Sequence, residues 1–436
     1  VNKTAEVTTQ ENFGKGSLDQ EQTIPQKAPP YRWVVLVLFA LNGMFTQVYW
    51  LNFAAIRLDA ATLYNVPPTY IDLLSSIFMI VYLVTGPISS LIIDGRGFKI
   101  GTSIGVILNG GFAFLRVFAV GPGSFWLLLI FQAGVAAGQP FMYNAISKLC
   151  ARWFPPAERA TASGLANLGF FIGMLLSFLF SPILFLLPGV GLQGMLLVFG
   201  IGGLAIAILF VILVKDHPTI PYGDTRRLTM TEMMHYSKLL FRNRFALVHA
   251  VLGFIGIGFF NMVFTEIQNI TAVPNVSPDD AGQLGAVALI SGIIGLLLLP
   301  ALSDHLFKAG KSYARKLFMV LSFTVATPTM VMVGFVSDLT TAYVLMAILG
   351  FFLLSSFAIA MQWVAEGTAP IPESQSNNLL MYMGQIGGII LIWLVPTLFN
   401  SGTIINPMYN NSMYLGAAFM AICLFLIFVF LKDKKR

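Results

Sequence analysis

The chain of 436 residues is 57% hydrophobic and only 10% charged, with a net charge of +6 and a mean hydropathy of +0.80. A soluble domain carries about 25% charged residues, so the composition excludes a water-soluble enzyme, a disordered chain and a collagen-like fibre. It is that of a polytopic membrane protein whose surroundings are the lipid bilayer; the excess of positive charge is a topology signal, and no nucleic-acid partner is expected.

In chain order, residues 1–32 are polar and read as a flexible cytoplasmic tail, without the apolar core of a cleavable signal peptide. Six apolar stretches follow at roughly 33–56, 70–93, 98–120, 124–150, 160–187 and 191–214. A polar connection at 215–244 is read as a cytoplasmic central loop. Six more stretches lie at roughly 245–271, 280–302, 316–337, 340–366, 376–400 and 411–431, ahead of a basic tail at 432–436. Each reaches the ~20 residues a spanning helix needs. Several are longer, so tilt or bending is expected, with Pro87, Pro140, Pro182 and Pro328 as bend points.

Twelve spans place both termini on one side. All but Arg57 and Arg116 of the 25 Lys and Arg residues fall in the termini or in the loops on that side. Basic residues concentrate on the cytoplasmic face, so both termini are expected there, with the plasma membrane as the setting. The two cysteines, Cys150 and Cys423, sit in or beside apolar runs and support neither a disulfide framework nor a metal site. Four widely spaced histidines, with no nucleophile elbow and no phosphate loop, point away from an enzyme and from any cofactor. Asn269, Asn275 and Asn410 open N-x-S/T patterns on the outer side.

Internal repetition supports two halves of six spans, 33–214 and 245–431. LIIDGRGFKIG after the second span parallels LPALSDHLFKAGKS after the eighth, placing Asp94 and Asp304 at equivalent turns 210 residues apart. Glu158/Glu373, Leu165/Leu380, Gly169/Gly384 and Gly173/Gly388 pair at a constant offset of 215. The expected architecture is all-α: twelve transmembrane helices in two pseudo-symmetric six-helix bundles.

Twelve spans, a long central loop, duplicated halves and the turn Asp94-Gly95-Arg96-Gly97-Phe98-Lys99 resemble the major facilitator superfamily, whose usual turn places arginine directly after the aspartate. Ile71-Asp72-Leu73-Leu74-Ser75, Leu108-Asn109-Gly110-Gly111, Trp153-Phe154-Pro155, Glu158-Arg159-Ala160-Thr161-Ala162, Pro372-Glu373-Ser374 and Gln385-Ile386 recur in order. That ordered set is similar to the feline leukaemia virus subgroup C receptor-related transporters, from roughly Arg32 to Phe399. The resemblance implies a monomeric carrier of a small organic solute working by alternating access, by facilitated diffusion of a choline-like amine.

Polar residues within spans are expensive and are therefore candidates for function. The first span carries Asn42, Thr46, Gln47, Tyr49, Trp50 and Asn52, with Thr46, Gln47 and Trp50 on one helical face. Trp50 has two readings, a headgroup-level anchor or a cavity wall. The resemblance favours the wall, since the family's tryptophan there stacks on the substrate ammonium. It likewise implies substrate contacts for Asn167 and Gln385. The family's second aromatic, a tyrosine in the seventh span, falls on Val263 or Phe264 here, with Phe260 and Asn261 close by. Glu266 has three readings: attraction of a cation, proton coupling, or a charge pair with Arg116. Asp72 is read as a family aspartate or as a helix cap. Asp94, Arg96, Lys99 and Asp304 form either a cytoplasmic gate latching the halves or a set of orientation charges. Gly164, Gly169 and Gly173 mark close helix packing. A membrane receptor that binds without transporting is the competing class.

Overall fold

The computed structural model describes residues 29–155, 158–219, 222–223, 229–268, 270, 273, 276–311, 313–399 and 411–430. Most of the N-terminal tail, the basic tail at 432–436 and the patterns at Asn269, Asn275 and Asn410 lie outside the described residues. The helices in chain order are α1 (Tyr31–Leu51), α2 (Arg57–Tyr64), α3 (Pro68–Arg96), α4 (Phe98–Leu115), α5 (Phe125–Tyr143), α6 (Ile146–Trp153), α7 (Arg159–Leu186) and α8 (Gly191–Leu213). After the central connection come α9 (Met230–Leu240), α10 (Arg244–Thr265), α11 (Pro278–Lys308), α12 (Ala314–Phe335), α13 (Leu339–Thr368), α14 (Glu373–Phe399) and α15 (Asn411–Phe430). Among the described residues, eleven helical stretches are long and apolar enough to cross a membrane, and α15 adds a shorter apolar one, Tyr414–Phe430.

Local chemistry sets the boundaries. The first span stops at Leu51, short of the expected 56, because Asn52–Ile56 turn and Arg57 opens the separate helix α2. Asn65, in the left-handed conformation at φ 55°, closes α2; a short polar side chain tolerates that region best after glycine. Pro68 then starts α3 at a position where the missing N–H costs nothing. The fourth span breaks after Pro140: α5 ends at Tyr143 and α6 begins at Ile146. By contrast Pro87, Pro182 and Pro328 lie inside continuous helices. Beyond the central connection, Ser277 and Asp280 form a reciprocal capping box on α11, and Asp338 accepts from the Thr341 N–H to cap α13.

Packing follows the duplication. In the first group α1 lies against α7, α3 against α5, α4 against both α5 and α8. The second group repeats each pair: α10 against α14, α11 against α13, α12 against both α13 and α15. The most extensive packing between the groups, α7 with α11 and α3 with α14, exchanges under the same correspondence. Glycine permits the tightest approaches. A Cβ on Gly173 would lie 2.1 Å from the Met44 carbonyl oxygen in α1, and one on Gly387 would lie 2.0 Å from that of Phe254 in α10. Small residues let membrane helices approach backbone to backbone; Gly164, in contrast, faces open space.

Candidate functional site

A cavity of about 600 Å³ lies between the two groups. Gln47 and Trp50 of α1, Met79 and Tyr82 of α3, Tyr143 of α5, and Asn167 and Phe170 of α7 form its first wall. Phe260 and Asn261 of α10 and Gln385 of α14 form the second. From there it runs to Asp94, Lys148, Met233 and Gln362, at the end of the molecule that carries the basic loops. Asp94 and Lys148 are the charged side chains among its described lining, and both sit at that basic end. The deep chamber is built from aromatic rings, thioethers and neutral amides.

The amides are held, with capacity to spare. Gln47 is fully buried and donates from Nε2 to the Tyr143 hydroxyl at 2.9 Å. Its Oε1 has no partner among the described residues, and neither has the Trp50 Nε1–H. Tyr143 is fixed in turn by stacking on Phe170, ring centroids 4.4 Å apart and planes 9° from parallel. Asn167 donates to the Ser163 carbonyl one turn back. Asn261 points its amide at the Met79 sulfur, 3.7 Å away across the groups. Tyr82 of α3 meets Tyr382 of α14 edge-on at 5.7 Å, a second contact across the groups. An aromatic face attracts an organic cation by ~0.5–2 kcal/mol, most when desolvated. Amides can bond a hydroxyl without adding charge, so the chamber suits a small cation bearing a polar group.

The expected set is thus brought together with one exception. Gln47, Trp50, Asn167, Phe260 and Gln385 line the cavity. Phe264 does not: one turn beyond Phe260, it packs on Phe260 (4.7 Å) and on Phe178 of α7 (5.7 Å). The aromatic of α10 that faces the chamber is therefore Phe260. Tyr82 and Tyr143 were not anticipated, because single tyrosines in apolar runs carry no periodic signal.

At the end opposite the basic loops the groups are closed by charge. Arg57, 4% exposed, donates to both Asp72 oxygens at 2.5 and 2.6 Å and meets Glu266 of the second group at 3.5 Å. The backbone N–H of Leu58 also crosses to Gln268 at 3.1 Å. Desolvation opposes the charge on Arg57, but the Asp72 hydrogen bond and the Glu266 and Asp72 carboxylates outweigh it and raise its pKa. Asp72 is accordingly an ion-pair partner, not a helix cap. The expected Arg116–Glu266 pair does not form. Arg116 sits on a tight turn after α4 that packs against α4, α5 and α8 of the first group. It donates to Gln132 at 2.7 Å and stacks over Tyr49 at 5.0 Å.

The basic end differs from expectation as well. Asp94 pairs with Lys148 at 3.2 Å, inside the first group. Asp304 pairs with Arg315 at 2.5 Å, and Arg315 with Glu366 at 2.9 Å, inside the second. The Lys99 backbone N–H donates to Asp216, which also pairs with Arg152, while Arg96 is exposed. None of these bonds latches the halves together. With the cavity reaching this end, each acid meets a base of its own group.

Comparison with known proteins matches this arrangement. Residues 35–391 match the family model described as Major Facilitator Superfamily. A Caenorhabditis elegans protein named an uncharacterized MFS-type transporter is 24% identical over 87% of this chain and 66% of its own length. Solute carrier family 49 member A3 of Danio rerio is 27% identical over 84% and 78%. The choline/ethanolamine transporter FLVCR1 of Felis catus is 27% identical over 82% and 66%. The chain thus spans just under two thirds of the worm and cat relatives. In fold it is similar to a bacterial homologue of the human lysosomal transporter Spinster, solved inward-facing and unoccupied. The TM-score is 0.73 at 18% identity, covering 92% of this chain and 97% of that one.

Proposed function

The chain belongs to the major facilitator superfamily, and from that premise we propose that it carries a small organic cation of the choline or ethanolamine kind across a membrane by alternating access. The observation that carries the reading is the deep chamber: Trp50, Phe260 and Tyr82 beside Gln47 and Gln385, with its described charged lining confined to the basic end. Such a lining holds an ammonium by its aromatic faces and a hydroxyl by its amides. The names of the cat relative and of others like it support the same cargo. Phe260 supplies the second aromatic wall, one turn from the Val263 or Phe264 position that the resemblance implies.

On this reading the protein is a monomer in the plasma membrane with both termini cytoplasmic, since the basic loops share one face. The cavity then opens inward, and Arg57, Asp72 and Glu266 close the outer end. Asp94 and Asp304, each paired with a base of its own group, hold each half's inner turn, while Arg96 and the Lys99 side chain act as orientation charges. Facilitated diffusion is favoured over proton coupling because the described carboxylates lie at the two ends of the pathway, outside the deep chamber.

Purified full chain in liposomes should take up labelled choline or ethanolamine saturably, with each competing against the other. An imposed pH gradient should leave the rate unchanged in wild type and in Glu266→Gln. A rate that follows the gradient and loses that dependence in Glu266→Gln would establish coupling instead. Binding without any flux would point to a receptor.

A further inference from the structure

The central connection carries a helix that the transport reading does not use. α9 begins at a full capping box, Thr229 with Glu232, so it is locally specified without help from its neighbours. At about 100° per residue, its side chains divide into three arcs. Met233, Tyr236 and Leu240 fall on one side; Leu240 is buried and Met233 lines the cavity beside α14, against which α9 packs. Met230, Met234 and, just past the helix, Phe241 fall on another, within about 40° of one another. They are exposed by 44%, 67% and 55%. Lys238 and Arg242 fall directly beside that apolar strip, and both are exposed.

Three large apolar side chains in a row with two cations along one edge fit a helix lying in a membrane interface. The strip enters the acyl boundary and the basic stems reach up to the phosphates. The chain fixes the depth. Arg244, three residues past Phe241, opens the span α10, and its guanidinium lies 5.9 Å from the ring of Phe430 at the end of α15. α9 therefore meets the bilayer at the level where two spans end.

We propose that α9 docks on the surface of the surrounding bilayer through anionic phospholipid, its apolar strip inserted and Lys238 and Arg242 on the headgroups. Because Met233 on the far side of the same helix lines the cavity mouth, lipid charge is sensed at the mouth. The inference rests on the bilayer placement and not on the cargo.

The test uses the full chain in liposomes of phosphatidylcholine alone or with phosphatidylglycerol. Cys150 and Cys423 are buried, so a bimane label can be directed to Met234→Cys or, on the flank away from the strip, His235→Cys. Brominated acyl chains should quench the label at 234 several-fold more than at 235, and phosphatidylglycerol should widen the difference. Lys238→Gln and Arg242→Gln should each lower the docked-to-free ratio about fivefold in phosphatidylglycerol, the effect of one basic residue near an anionic surface. Met230→Cys, on the same strip, repeats the measurement if Met234→Cys does not fold. Equal quenching at the two positions, or quenching unaffected by phosphatidylglycerol, would overturn the proposal. Neither outcome depends on transport.

Discussion

Glu266→Gln is the sharpest perturbation of the closure at the end opposite the basic loops, because it removes one charge and almost no volume. In the closed arrangement Glu266 lies 3.5 Å from the Arg57 guanidinium and belongs to the other helix group. The Coulomb attraction at that distance is about 5 kcal/mol with an effective dielectric of 20. Desolvation of both partners consumes most of this, and the glutamine oxygen still accepts from Arg57. A net loss of about 1–2 kcal/mol remains, a fall of roughly 5- to 30-fold in the closed-to-open ratio of this end. Asp72 keeps its own two bonds to Arg57, so the first group is left intact and the effect is confined to the joint. Spin labels at Leu58→Cys and Ser337→Cys, on exposed sites of α2 and of the turn before α13, report the separation of the groups at this end. The variant should populate a longer distance that is minor in the wild type, and Arg57→Gln should do so at least as strongly. Distance distributions unchanged in both variants would show that the ion cluster does not hold the end closed.

Two further substitutions test packing and charge separately. Gly173→Val places a Cβ 2.1 Å from the Met44 carbonyl oxygen; the forced shift of α1 should cost ~1–3 kcal/mol and lower the melting temperature in detergent, whereas Gly164→Ala, with nothing within 4 Å, should not. Arg315→Gln leaves Asp304 and Glu366 without their shared cation. Asp304 is half exposed, so the loss should be ~1–3 kcal/mol, below the full cost of breaking a buried pair. Arg96→Gln, on an exposed side chain, should change the melting temperature little.

Much of this was legible in the amino-acid sequence, for identifiable reasons. Span length and the sidedness of Lys and Arg are properties of the chain against the bilayer, and the repeat at offset 215 places Gly169 and Gly384 at equivalent contacts, against α1 and α10. Gln47, Trp50 and Gln385 could be chosen because an amide or indole amid apolar residues is costly unless it faces something polar. Partners could not be chosen. Arg57 entered the sequence reading only as the exception on the far side, yet it is the hub of the closure, because a short helix after α1 folds it back onto Asp72. Arg116 and Glu266 are a buried cation and a buried anion near the same end, and only the packing of the turn after α4 reveals that different neighbours engage them. Phe260 and Phe264 share a face at i and i+4; depth along the cavity, which separates them, has no signature in periodicity.

The proposed transport turns on whether Trp50 is the wall that holds the cargo. Initial rates of labelled choline uptake should be compared in liposomes carrying equal amounts of wild type, Trp50→Ala and Trp50→Phe. A desolvated aromatic–cation contact of ~2 kcal/mol predicts a fall of about 30-fold in Trp50→Ala. Trp50→Phe, which keeps an aromatic face, should retain much of the rate. Uptake that is saturable yet unchanged in Trp50→Ala would contradict the account.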